Sequence, residues 1–120
     1  MSVRAIRGAI QVEANSAEAI AAGTKELLAE ILRANELAVE QVISVLLTAT
    51  PDLNAAFPAA AAREVGFEAT PLLCAVEIDV QGALARVVRA MVTVETERGA
   101  TEISHIYLAG AKALRRDIAQ

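Results

Sequence analysis

The chain is 120 residues long with a formal net charge of −4, which predicts one domain (residues 1–120) and argues against a nucleic-acid partner or an anionic membrane surface. Its apolar fraction of 55% is high for so small a domain, and no apolar run reaches the ~18 residues of a transmembrane helix, so the excess favours subunit interfaces in a cytoplasmic oligomer. A single cysteine excludes an intramolecular disulfide and a cysteine-rich zinc site.

The first predicted elements are a strand and a long helix. Residues 3–12 alternate in polarity, which places Arg7 on a mostly apolar face. Asn15 is a capping residue with Glu18 three positions later, which is a helix-start signal. The apolar stripe that follows predicts a helix ending near Arg33.

A second strand and a short helix come next. The apolar, β-branched run from Val42 to Thr50 predicts a buried strand. The segment from about residue 54 to Val65 predicts a short helix, with Pro58 in its first turn and Gly66 as its C-terminal stop. Arg63 would project from the last turn of this helix.

Two further strands each carry one charge where a core strand carries none. They are predicted from Pro71 to Glu77 and from about Ala85 to Val94, joined by a turn near Gln81-Gly82. Both faces of the second strand are mostly apolar, the pattern of a strand covered on both sides. Removing the partner of a buried charge costs roughly 3–5 kcal/mol, so we expect Arg89 to pair or to face a polar cavity.

A shorter strand from Ile103 to Leu108, with His105 and Tyr107 on one face, and a partly helical tail complete the chain. Strands and helices alternate irregularly. The predicted fold class is therefore α/β of the mixed α+β kind, a single domain with a mixed sheet of about five strands, one long helix and one short helix.

The polar residues offer few kinds of chemistry. Glycine-rich phosphate loops, metal-ligand clusters and Ser-His-Asp arrangements are missing from the sequence, so we expect no metal and no cofactor. His105 is expected at the surface or in a supporting role, and Cys74 is expected to be a buried thiol rather than a site residue.

Several arginines in or beside apolar strands, with one carboxylate and one phenol, could bind a small dicarboxylate, because the arginine fork binds carboxylates bidentately. These residues are Arg7, Arg63, Glu77, Arg89, Tyr107 and an arginine at 115 or 116. The alternative is structural: Glu77 pairs with Arg89, Arg7 pairs with an acid from the helix, and Arg63 is solvated.

A series of short motifs, in this order and at this spacing, resembles the AroH-type chorismate mutases, the trimeric α/β class, over nearly the whole chain. The motifs are residues 3–9 (VRAIRGA), 47–53 (LTATPDL), 56–59 (AFPA), 74–77 (CAVE), 89–91 (RAM), 105–108 (HIYL) and 114–115 (LR). The resemblance implies the Claisen rearrangement of chorismate to prephenate in aromatic amino-acid biosynthesis. It also implies a pseudo-barrel homotrimer with clefts between subunits.

The resemblance further implies a role for each candidate residue. Arg89 would donate to the ether oxygen of chorismate, and Glu77 would accept from its ring hydroxyl, with Cys74 at the same end. The other implied contacts are a carboxylate site at Arg7 and Tyr107, a contribution of Phe57, Ala59 and Arg63 from the neighbouring subunit, and closure of the cleft by Leu114 and Arg115.

Some features depart from the family pattern. Ala60 stands where the family usually has lysine, Arg116 stands where it tends to have proline, and the segment 66–70 is about one residue shorter. Cys74 and Glu77 are three apart, so the strand predicted from Pro71 to Glu77 must end or bulge between them if both line one cleft. Two other functions remain open from the residues: another reaction on this architecture, as in the similar small trimeric imine deaminases, or a non-catalytic trimer that binds an anionic metabolite.

Overall fold

A computed structural model of the protein describes residues 1–114, which form one mixed sheet with helices on one face. The strands are β1 (Ser2–Gln11), β2 (Val42–Ala49), β3 (Leu72–Val76), β4 (Val87–Thr96) and β5 (Ile106–Leu108). The helices are α1 (Ala17–Ala34) and α2 (Pro58–Ala62), and a π-helical turn follows α2 at Arg63–Phe67. Single turns of 3-10 helix lie at Val39–Gln41, Ala100–Glu102 and Ala109–Ala113.

The five strands are arranged in the order β3-β2-β4-β1-β5. The central strand β4 is antiparallel to both β1 and β2, whereas β3 is parallel to β2 and β5 is parallel to β1. The predicted fold class, with a mixed sheet of five strands, one long helix and one short helix, is confirmed.

The strands on either side of the Gln81-Gly82 turn are not neighbours in the sheet. The turn is present, with Gly82 at a φ of 84°, but β2 lies between β3 and β4. The prediction that both faces of β4 are covered is wrong for the single chain. Val88, Ala90 and Val92 are buried, whereas Met91 on the other face is 39% exposed.

The buried face of the sheet packs against α1. Ser16 caps this helix by accepting the Ala19 N–H at its hydroxyl, one residue later than the predicted cap at Asn15. Leu27, Leu28 and Ile31 on the inner face of the helix are fully buried. The main core therefore lies between α1 and one face of the sheet. The opposite face is covered at one end, where Ala111 of the last 3-10 turn belongs to a buried cluster with Ala9, Val87 and Tyr107, and it is open around Arg89 and Met91.

The second helix is shorter than predicted. A residue before proline is disfavoured in the helical region, and Phe57 is extended with φ −85° and ψ 125°, so α2 begins at Pro58 rather than near residue 54. Asn15 Oδ1 instead accepts the backbone N–H groups of Asn54 and Ala55, each at 3.0 Å. Gly66, with φ 109°, ends the helical segment as predicted.

The last strand is also shorter than predicted, beginning at Ile106 rather than Ile103. The side chain of Asn35 donates to the carbonyl oxygen of Ser104 at 2.9 Å and accepts its N–H at 2.8 Å, which occupies the main chain there. No helix within residues 1–114 is long and apolar enough to cross a membrane.

Candidate active site

The register of the sheet brings three predicted site residues together on its open face. Arg89 lies opposite Thr48 of β2 and Ala9 of β1, and Ala9 lies opposite Tyr107 of β5. Paired residues point to the same side of a sheet. Arg7 occupies the next position along β1 on this face, opposite Met91.

These side chains surround a concavity of about 220 Å³. Its lining residues are Arg7, Gly8, Leu46, Thr48, Arg89, Ala90, Met91 and Tyr107. Two guanidinium groups therefore stand over a largely apolar floor. Because charged groups interact more strongly where water is partly excluded, this arrangement suits a small anion with an apolar body.

Glu77 fixes the conformation of Arg89. The Nε of Arg89 lies 3.2 Å from Oε1 and 3.1 Å from Oε2 of Glu77, and Oε2 also accepts the Thr48 hydroxyl at 2.7 Å. Among residues 1–114, the terminal nitrogens of Arg89 make no hydrogen bond, so both amino groups can donate to a ligand. The pairing of Glu77 with Arg89, foreseen in the structural alternative, thus leaves the arginine available for chemistry.

The Arg7 guanidinium makes no ion pair with any carboxylate of residues 1–114, so the alternative in which it pairs with an acid of the helix is wrong. Its backbone N–H donates to Nδ1 of His105 at 3.0 Å. The imidazole thereby takes the place of a backbone acceptor at the edge of β1 next to β5. His105 is partly buried and contacts the backbone of Arg7 rather than lining the concavity.

A second hollow of about 370 Å³ adjoins the concavity at Arg89. Its walls are the loop from Glu77 to Ala85, the turn at Thr50–Asp52, and Leu114. Leu114 also packs against the buried cluster that contains Tyr107, which is 3% exposed. Arg115, predicted to close the cleft, lies outside the described residues.

The remaining predicted site residues lie elsewhere on the chain. Cys74 is opposite Leu47, so it points to the other face of the sheet and lines a hollow of about 460 Å³ beside Phe57. Phe57 is 77% exposed, Ala59 is 8% exposed, and Arg63 is exposed at the end of α2. Within one chain, none of these four residues lines the concavity around Arg89.

The strand that carries Cys74 was expected to end or bulge before Glu77 if both residues line one cleft. The strand ends at Val76 without a bulge, and the Glu77 N–H continues its hydrogen bonding by donating to the Ala49 carbonyl oxygen at 2.9 Å. Cys74 and Glu77 therefore face opposite sides. The thiol is half-buried rather than buried.

Sequence reasoning missed Thr48, which contacts Glu77, and the apolar floor residues Leu46 and Met91. The available signal was that Thr48 interrupts the apolar run of β2 from Val45 to Ala49. Over residues 1–114 no group of three or more His, Cys, Asp and Glu side chains is placed to hold a metal ion.

The comparisons with known proteins agree on one family. Residues 3–118 match the family model described as chorismate mutase type I. The chain is 44% identical to chorismate mutase AroH of Bacillus subtilis (strain 168) over 98% of this chain and 94% of that protein. It is also 44% identical to chorismate mutase AroH of Thermus thermophilus over 97% of this chain and 96% of that protein.

The fold is similar to a solved structure as well. A chorismate mutase from Clostridium thermocellum superposes with a TM-score of 0.90 at 46% identity, covering 92% of this chain and 98% of that one. Coverage is nearly complete on both sides of each comparison, so the similarity extends beyond isolated motifs. The chain belongs to the type I chorismate mutase family.

Proposed function

We propose that the concavity around Arg89 is one half of the site at which this chorismate mutase converts chorismate to prephenate. The observation that carries the assignment is the Arg89 guanidinium, which lines the concavity, is held through Nε by Glu77 and makes no other hydrogen bond among residues 1–114. The residues alone left imine deamination and non-catalytic binding open, and membership of the chorismate mutase family argues against both.

The reaction is a unimolecular rearrangement, so it needs no nucleophile and no proton transfer. The enzyme holds chorismate in a compact conformer and stabilises the negative charge that develops on the ether oxygen as the C–O bond breaks. Arg89 donates to this oxygen. By the scale of oxyanion-hole deletions, one fixed donor contributes about 3–4 kcal/mol to transition-state stabilisation.

Arg7 binds a substrate carboxylate beside Tyr107, since its guanidinium has no carboxylate partner in the described part of the chain. Glu77 accepts from the ring hydroxyl through lone pairs left after its contacts with Arg89 and Thr48. The ring rests on the apolar floor of the concavity.

The second half of the site comes from a neighbouring subunit of a homotrimer. Phe57 and Arg63 are exposed away from Arg89, as expected if one chain supplies them to the next, and Ala59 lies between them in α2 at 8% exposure. The open sheet face and edges expose large apolar residues that such an interface would cover. These are Val3, Ile43, Leu46, Leu73, Val76 and Met91. A trimer also explains the high apolar fraction of the chain. The proposed cellular role is aromatic amino-acid biosynthesis in the cytoplasm.

The loss of chorismate absorbance, followed with wild type, Arg89→Ala and Arg89→Lys side by side, tests the proposal. We expect Arg89→Ala to lose roughly 100- to 1,000-fold in kcat. Arg89→Lys should also be poor, because lysine lacks both the fork and the Nε that Glu77 binds. Near-normal kcat in either variant would refute the role of Arg89, and a monomer mass in sedimentation would refute the shared site.

A further inference from the structure

The residue that precedes β4 has an uncommon backbone conformation. Arg86 has a φ of 56°, in the left-handed region that residues other than glycine adopt in only a few per cent of cases. Such conformations persist where the surrounding structure holds them, and they concentrate at functional sites. Arg86 lies three residues before Arg89, so the contacts that hold it bear on the site.

Arg86 is held from both sides. Asp52 Oδ2 accepts the Arg86 backbone N–H at 2.9 Å. On the β1 side, the Val12 N–H donates to the Arg86 carbonyl oxygen at 2.8 Å, and the Arg86 Nε donates to the Val12 carbonyl oxygen at 3.0 Å. Both main-chain polar groups of Arg86 are thus bonded to neighbouring elements.

Thr50 holds the next residue, Val87. The Thr50 N–H donates to the Val87 carbonyl oxygen, and the Thr50 hydroxyl accepts the Val87 N–H, both at 3.0 Å. The hydroxyl replaces the Thr50 carbonyl, which instead accepts the Leu53 N–H at 2.9 Å in the turn. Thr50 and Val87 are buried at 8% and 1% exposure, so water cannot easily substitute for the hydroxyl.

We propose that Asp52 and Thr50 are positioning residues of the mutase reaction, which fix Arg89 through the backbone of Arg86 and Val87. Val87 and Arg89 share a face of β4, and the loop that starts at Glu77 ends at Arg86. Loss of the Asp52 and Thr50 contacts with this backbone loosens both the start of β4 and the end of the loop. The guanidinium and its carboxylate partner then lose their fixed relation to each other.

The inference rests on the proposed role of Arg89 and gives a function to the Thr50-Pro51-Asp52 part of the second sequence motif. A distant mutation that misplaces a catalytic group by about 1 Å can cost up to ~100-fold in rate, so we expect Asp52→Ala to lower kcat about tenfold. KM should change less than kcat. Asp52→Asn keeps an oxygen acceptor for the Arg86 N–H and should stay close to wild type.

Thr50 offers a second matched pair of variants. Thr50→Val has nearly the same shape but leaves the Val87 N–H without its acceptor, and kcat should fall. Thr50→Ser keeps the hydroxyl and should retain most of kcat. Equal kcat in Thr50→Val and Thr50→Ser would overturn the role of the hydroxyl.

Replacing Arg86 with glycine tests whether Asp52 acts on Arg89 by holding residue 86 in the left-handed backbone conformation. Arg86→Gly also removes the Nε bond to the Val12 carbonyl oxygen, so this single variant is the reference for the double variant. Glycine adopts positive φ without a steric cost, so Asp52→Ala combined with Arg86→Gly should have a kcat within about threefold of that of Arg86→Gly alone. A double variant no faster than Asp52→Ala would refute the backbone as the connection, and wild-type kcat in Asp52→Ala would refute the whole inference.

Two controls separate positioning from loss of fold and from failure of the proposed function. Leu28→Val removes one buried methylene group in α1, on the other side of the sheet, and should lower Tm while kcat below the transition is unchanged. A kcat loss in Asp52→Ala that merely follows its unfolded fraction would overturn the inference. Arg89→Ala is assayed alongside: if it retains activity, the proposed function fails, and if only Asp52→Ala retains activity, this inference fails alone.

Discussion

Replacing Glu77 with glutamine separates the catalytic importance of the Glu77–Arg89 pair from its contribution to stability. Glutamine keeps the shape and one acceptor oxygen. Its amino group cannot accept from the Thr48 hydroxyl or from Arg89 Nε, which contact Oε2 at 2.7 and 3.1 Å in the wild type. In either orientation of the amide, Arg89 Nε loses one of its two acceptor oxygens and the negative charge of its partner, so the change loosens Arg89 without creating a cavity.

The two effects are expected to differ in size. The Arg89 side chain is 45% exposed and that of Glu77 is 16% exposed, so solvent screening limits the pair to about 0.2–1 kcal/mol of folding stability. For a domain of this size, that corresponds to a Tm shift below roughly 8 °C. In contrast, an arginine side chain that is no longer held regains up to about 2 kcal/mol of rotamer entropy. It must lose this entropy again in the transition state, and a cost of this size lowers kcat/KM by up to roughly 30-fold.

The assay is chorismate consumption together with thermal unfolding of wild type and Glu77→Gln. Glu30→Gln is the matched control, since Glu30 pairs with Arg33 on the exposed side of α1, where the hydrogen bond from Arg33 lowers the Glu30 pKa. It should leave kcat/KM unchanged and lower Tm only slightly. Full activity in Glu77→Gln together with a collapse of Tm would refute our reasoning and make the pair a purely structural ion pair.

Two further substitutions test the support of the site from either side of β1. A Cβ added at Gly8 would lie 2.8 Å from Ile31 Cδ1 and 3.1 Å from the Ile106 carbonyl oxygen, so Gly8→Ala should lose about 1–3 kcal/mol of stability in chemical denaturation. Gly99→Ala is the control and should lose less. Equal losses in the two variants would contradict overpacking at Gly8. His105→Ala removes the acceptor of the Arg7 N–H at 3.0 Å and should raise KM roughly fivefold, for a net hydrogen bond of about 1 kcal/mol. His105→Asn offers Oδ1 to the same N–H and should recover most of this loss, and equal KM values in the two variants would contradict the role.

Local patterns were sufficient for the elements whose signals lie within a few residues. The alternation of β1, the capping signal of α1 and the β-branched run of β2 each predicted an element within two residues of its observed ends. The start of α2 was wrong because the extended residue before Pro58 outweighs the alanine-rich helix propensity. The sequence also could not place β3 beside β2, because parallel pairing leaves no local turn signal.

The sequence predicted those residues of the candidate site whose type is unusual for their local pattern. It did not predict residues that join the candidate site only through the register of paired strands. Arg89 and Glu77 were identified because a charge in an apolar strand requires a partner, and they do contact each other. Thr48 joins them only because β2 and β4 pair with Thr48 opposite Arg89, which is a long-range property of the sheet. The Asp52 contact to the Arg86 backbone likewise joins residues 34 positions apart.

The separation of the predicted site residues onto two surfaces makes a quantitative prediction about assembly. If Arg89 of one subunit acts with Arg63 of the next, Arg89→Ala and Arg63→Ala are each inactive for a different reason, and a trimer containing both can hold an intact site. In a cyclic trimer assembled from an equal mixture, each interface receives an intact Arg89 half the time and an intact Arg63 half the time, so roughly one quarter of wild-type activity should return. The two variants are unfolded, mixed, refolded and assayed, with each variant refolded alone as the control. One variant is isotopically labelled so that mass shows mixing, and no recovery in trimers shown in this way to be mixed would mean that each chain completes its own site.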